Sequence, residues 1–407
     1  MPLLPETLVT APEILGRLAS IHELTAHLVQ SLPPSDVNRQ FHSELGSLGW
    51  YFGRSVYQET YWLREVLQGD DDLTRRVRHL FTPGGMSLAD QCVSLPPPDH
   101  LLNWAAEIRD AHLTWLANPA LLPGHPLLAD DRLAHFLVQE QALTYESMLW
   151  VLQERAITEA TPDYRPAQTL EARAPSLETG VVEQGHYRVG SRFEPWAYDN
   201  ELPPQAIELS AFRIALRPVS NAEWLAFMQS GGYEERSLWS AEGLSWLAGE
   251  PRRHPRYWRT DPTGRWYGLG VSGPADLPPQ DVVTGICHHE ARAFAAWASS
   301  LGDALAGATL QHEVQWETAA RTGVLGEMGR AWEWCANRFE PYEGYQSPAH
   351  EGLATADFDG QHVSLRAGCL HTQPALRRAS FRNRALPHQD YRFTGLRLIF
   401  PPGEPAW

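Results

Sequence analysis

The chain has 407 residues, 43% of them hydrophobic and 20% charged, with a formal net charge of −16. That length exceeds one ordinary core, so two domains or three are expected. So acidic a chain lacks the basic footprint that nucleic acid or an anionic membrane demands of a main partner.

No apolar run approaches the roughly 18–20 residues that span a bilayer. The opening "MPLLPETLVTAPEILGRL" has neither the basic start nor the apolar stretch of a signal peptide, so a cytoplasmic protein is expected. Cys92, Cys287, Cys335 and Cys369 form no CxxC pair and read as reduced thiols. Most of the 16 tryptophans follow residue 190, which predicts a loop-rich second half held by aromatic packing.

In chain order, residues 1–157 read as helices. "APEILGRLASIHELTAHLVQSL" (11–32) keeps apolar residues at three- and four-residue steps and stops at Pro33-Pro34. Ser35-Asp36 offers an N-cap for a second helix running to about Leu67. A shorter helix follows over Asp72–Phe81, then long ones over 98–118 and 130–155, so a four-helix bundle is expected. Residues 158–179, polar and containing proline, read as a linker. Residues 180–407 mix short β-like runs ("GHYRVG", "IELSAFRIAL", "HVSLRAG", "FTGLRLIF") with helices over 221–229 and 288–299, an irregular α+β domain.

On the fourth long helix, Leu133, Leu137, Glu140, Thr144, Met148 and Val151 share one face, so a carboxylate and a hydroxyl interrupt an apolar stripe. Side chains at i and i+4 converge on one point, the geometry of a paired metal site on a helix. On the second helix Trp50, Arg54, Tyr57 and Tyr61 share a face. His42, His112, His135, Glu59 and Glu146 are further donors in this half, but no HxxxH or HxxE spacing remains. "CHHE" (287–290) places consecutive residues on different sides of a helix start, which predicts a structural role.

Several segments of the second half resemble the formylglycine-generating-enzyme fold, of C-type-lectin-like kind, as it occurs in sulfoxide synthases of ergothioneine biosynthesis. They are "AYDNELP" (197–203), "FRIALRPVSNAEWLAFMQSGGYEERSLW" (212–239), "EVQWETAAR" (313–321), "AWEWCANRFEPYEGY" (331–345) and "FRNRALPHQDYRFTGLRL" (381–398). "LGSLGWYFGRSVYQETYWLREV" (45–66) and "HFLVQEQALTYESMLWVL" (135–152) resemble the DinB-like four-helix bundle that precedes it.

The resemblance implies a non-heme Fe(II) held by three bundle histidines, and an O2-dependent joining of a thiol sulfur to a histidine-derived betaine. The positions it implies for those histidines are Arg54, Glu140 and Thr144. Arg54 has no lone pair for a metal. An Arg54–Glu140 pair filling the metal's volume, with Thr144 adding a hydrogen bond, is therefore expected, and breaking it if buried would cost about 3–5 kcal/mol.

The two-cysteine copper site of formylglycine-generating enzyme proper is not expected, because Cys369 in "RAGC" stands alone. The resemblance further implies a ligand pocket around Trp50, Tyr57, Trp332, Glu333, Arg382, Asn383, Arg384 and Gln389. Trp332-Glu333-Trp334 is also expected to pack as core with a structural carboxylate.

The expectation is a pseudoenzyme without a cofactor that binds a small zwitterion or thiol, alone or beside an active paralogue. The alternative is an active metal-dependent oxidoreductase, with Fe(II) on relocated ligands.

Overall fold

Apolar steps of three and four residues build the first helices of the computed structural model, which describes residues 11–159, 163–192, 194–250, 252–348, 350–354 and 358–402. Helix α1 (Ala11–Ser31) buries Ile14, Leu18, Ile21, Thr25 and Val29 along one face. A single turn, α2 (Pro34–Val37), follows the prolines. The long second helix expected from Ser35 onward is broken here. The Asn38 amide donates to the Pro96 carbonyl and the Gln40 amide to that of Leu45, so side chains bond backbone groups outside a helix.

Helix α3 (Leu48–Thr60) starts afresh, capped by Ser47, whose hydroxyl accepts from the Trp50 amide. It runs on as a π-helical turn over Tyr61–Val66. Then come α4 (Asp72–Phe81), α5 (Leu88–Val93), α6 (Pro98–Ala117) and α7 (Arg132–Thr158). Asp130 and Asp131 sit at φ of 52° and 54°, a left-handed conformation no helix accepts, so α7 opens at Arg132 and not at Asp130. Helices α1, α3, α6 and α7 pack on one another around the core of this unit.

The chain divides into two compact units between residues 160 and 161. The stretch expected to be a linker is held along the second unit from Tyr164 onward. The Tyr164 hydroxyl donates to Asp276 at 2.6 Å, and the Arg173 amide to the Ala222 carbonyl at 3.0 Å.

Among the described residues four sheets make the frame of the second unit. The first joins β1 (Thr179–Val182), β4 (Phe212–Ala215), β13 (Leu398–Phe400) and β8 (Thr309–Leu310) in that order; the second is the hairpin of β2 (Gly185–Val189) and β3 (Gln205–Leu209). The third is β5 (Trp258–Thr260), β6 (Trp266–Gly270) and β7 (Gly273–Ala275). The fourth runs β11 (Asn383–Ala385), β10 (Val363–Arg366), β9 (Trp332–Arg338) and β12 (Thr394–Gly395), with β12 parallel to β9.

Helices α8 (Asn221–Gln229), α9 (Ala241–Gly249), α10 (His288–Ser300) and α11 (Glu313–Arg321) complete it. Trp316 of α11 packs with Phe212, Ile214 and Ile399 of the first sheet, and Trp224, Trp258, Trp332 and Trp334 are also fully buried. "IELSAFRIAL" is two strands of different sheets, parted at Ser210-Ala211. All four cysteines are buried and none forms a disulfide. Among the described residues no helix is long and apolar enough to cross a membrane.

Candidate functional site

Two amide hydrogen bonds fix how α3 lies beside α7. The Gln58 amide donates to Glu140 Oε2 at 2.9 Å, and the Gln141 amide to the Ser55 carbonyl at 3.0 Å. One turn from Gln58 is Arg54, and one turn from Glu140 is Thr144, so the three implied histidine positions belong to neighbouring helices.

The expected Arg54–Glu140 pair is not formed. Arg54 is exposed, and its guanidinium carbon lies 5.5 Å from the centroid of the Trp50 ring. The reason is angular: Arg54 and Glu59 are five residues apart, about 140° around a helix of 3.6 residues per turn, and Glu59 takes the inward face. Glu140 is half-buried and bonded to Gln58, and Thr144 is buried. A cation without a lone pair, a carboxylate already accepting an amide, and a neutral hydroxyl do not fit an iron(II) site of three neutral imidazoles.

The buried charge of the helical unit is elsewhere. Glu59, with no exposure, receives His22 Nε2 on Oε1 at 2.6 Å and His112 Nδ1 on Oε2 at 3.4 Å. Arg109 Nε lies 3.9 Å from Oε1, and the Arg109 guanidinium also donates to Ser55 Oγ at 2.9 Å. Burial opposes ionisation of Glu59, yet the attraction of His22 and the hydrogen bonds from His112 and His22, with Arg109 beside them, hold its carboxyl well below the usual range. Burial lowers His22 in turn, against the pull of Glu59.

The two imidazoles use different carboxylate oxygens and Arg109 already compensates the charge, so this is a hydrogen-bonded ionic hub. Among the described residues no group of three or more His, Cys, Asp or Glu is arranged to hold a metal. Sequence reading had Glu59 and His112 as separate donors and missed His22 and Arg109. The signal was present, since His22 and His112 interrupt the apolar stripes of α1 and α6 as Glu59 interrupts that of α3.

The expected pocket residues have the following surroundings, each within its own unit. Trp50 Nε1 donates to the Leu80 carbonyl at 2.9 Å and to Gln91 Oε1 at 3.1 Å, while Tyr57 packs on Phe81. Trp332 is buried against Phe381. Glu333 accepts both Arg397 Nε and Nη2 at 2.8 Å, the structural carboxylate expected of that segment.

Arg382 forks onto Glu313 at 2.8 Å twice and lies 4.1 Å from the centroid of Tyr342. Gln389 Oε1 accepts from the Leu386 amide. Buried guanidinium and carboxylate groups need such partners, which occupies them structurally. Asn383 and Arg384, on β11, remain half-buried, with the Arg384 guanidinium carbon 5.4 Å from the Phe339 centroid.

"CHHE" opens α10 as expected of a structural segment. Glu290 Oε2 accepts the Cys287 amide at 2.8 Å, and Oε1 accepts the Tyr233 hydroxyl at 2.6 Å. His288 Nε2 contacts the Cys335 carbonyl at 3.1 Å. Burial pushes the Glu290 carboxyl up to about 7 and the His288 imidazole down to about 3.

Comparison with known proteins places these units. Residues 166–328 match the sulfatase-modifying factor enzyme 1-like domain. The hercynine oxygenase of Mycolicibacterium smegmatis is 26% identical, over 97% of this chain and 100% of its own. That of Mycobacterium tuberculosis is 28% identical, over 96% and 100%. The formylglycine-generating enzyme of Streptomyces coelicolor is 28% identical, over 49% of this chain and 65% of its own. The first unit is helical and the sheet-rich second unit carries this domain match, and over nearly its full length the chain resembles the hercynine oxygenases of the ergothioneine sulfoxide synthase family.

Proposed function

We propose that this chain is a divergent sulfoxide synthase relative that does not hold the family's iron. In this reading it is a pseudoenzyme that binds a small zwitterion or thiol. Its helical unit is then a DinB-like bundle and its second unit a C-type-lectin-like domain.

The observation that supports the reading is the chemistry of the α3/α7 face. Arg54 is turned outward as a permanent cation, Glu140 is hydrogen-bonded by Gln58, and no imidazole stands at the three implied positions. Four thiols outside any disulfide go with a cytoplasmic location.

Metal content after anaerobic Fe(II) loading and desalting tests it. The native chain is expected to retain far less than one iron per chain, and the combined Arg54→His, Glu140→His, Thr144→His variant to gain one. Stoichiometric, tightly held iron in the native chain overturns the proposal, as does sulfoxide product formed from oxygen, a thiol and the histidine betaine.

A further inference from the structure

We infer that the polar centre of the helical unit is an enclosed water site, in which water donates to His22 Nδ1 and to His112 Nε2. Glu59 has no exposure, and an ionised carboxylate only accepts hydrogen bonds. The ring nitrogens that face it, His22 Nε2 at 2.6 Å and His112 Nδ1 at 3.4 Å, therefore carry the protons. Arg109 beside Glu59 already balances its charge, so a second proton on either ring would put an uncompensated cation in the core. Each ring is then neutral and keeps a bare lone pair on its far nitrogen.

Both lone pairs are buried, and no donor among the described residues reaches either. Two further atoms of the same network share that state: Arg109 Nε, a donor, and Gln141 Oε1, an acceptor. Ser55 ties them to the hub, since its hydroxyl accepts from Arg109 and its carbonyl from the Gln141 amide. Three acceptors against one donor leave at least two lone pairs unmet within the network, so the remaining donors come from outside the protein. Water has that chemistry: it donates twice, accepts from Arg109 as well, and is recruited by buried polar groups at about three hydrogen bonds each.

Long-range proton–nitrogen NMR of the full chain, labelled with nitrogen-15 at histidine, tests this near pH 7.5. His22 is expected to carry its proton on Nε2 and His112 on Nδ1, with the second nitrogen of each ring bare. The ring protons of both are expected to show cross-relaxation with a long-lived internal water. His22→Gln and His112→Gln assign the signals. A high-resolution crystal structure of the native chain reads the site independently, with water expected about 2.7–3.2 Å from both nitrogens.

The opposite tautomer or a doubly protonated ring at either histidine overturns the inference, as do dry nitrogens or a metal ion in place of the water. Should the two variants fail to fold, the crystal structure of the native chain decides alone.

Discussion

Ala367 follows β10 with φ at +83°, beside Gly368 at +80°. A Cβ in that region crowds the backbone by roughly 1–2 kcal/mol, an effect glycine avoids at the cost of a looser unfolded chain. The conformation is held from outside, because the Cys369 amide donates to Thr372 Oγ1 at 2.8 Å and Arg366 is anchored to Glu317 at 2.6 Å. Ala367→Gly is expected to stabilise the protein by about 0.5–1 kcal/mol. An unchanged or lower unfolding midpoint in urea would contradict it. Residue type alone misled at Arg54 for a related reason. A charged residue one turn from aromatics reads the same whether it points in or out, and the expected cost of losing it falls to about 0.5 kcal/mol once it is exposed.

Among the elements of the helical unit, the hub around Glu59 ties α1, α3 and α6 at one level. Removing the carboxylate leaves Arg109, buried and cationic, without its counter-charge. Glu59→Gln is therefore expected to cost about 3–5 kcal/mol, roughly six to ten times the cost of Arg54→Ala, in chemical unfolding. Similar small losses for both would show that the hub contributes little.

The sequence periodicity located α1, α4, α6 and α7 to within a few residues, because each buries a stripe of fixed spacing. It did not reveal the break at 38–47, which depends on side-chain amides bonding distant carbonyls, nor the π turn at 61–66. In the second unit the β-like runs held β2, β3, β4, β10, β12 and β13, but the remaining short strands, α9 and α11 were not readable. That Arg382 forks onto Glu313 was not readable either, since that partner is 69 residues away in the chain.

For the whole molecule, the histidines set the response to acid. Burial lowers His22 in the helical unit, and His254, His288, His289, His312 and His371 in the second, with His288 near 3 and His289 near 4. A histidine with a depressed folded pKa is protonated first in the unfolded chain. Stability is thus fully present above the unfolded value, about 6.5, and lost as pH falls from there toward the folded value.

Glu290 works the other way. Its carboxyl, raised to about 7, stays protonated in the fold while the unfolded chain ionises from about 4.5, so acidification through that window stabilises. One such carboxyl offsets about one histidine, and six histidines are lowered. The native chain is therefore expected to be less stable near pH 5 than near pH 7.5. Of that difference His288 contributes about 2 kcal/mol, since the unfolded imidazole lies roughly 1.5 pH units above pH 5. Urea unfolding of native chain and His288→Gln at both pH values measures it: the gap between the two pH values should shrink by about 2 kcal/mol in the variant. A gap that stays the same would mean that the folded His288 takes up its proton as readily as the unfolded one, so that burial against the Cys335 carbonyl does not lower it.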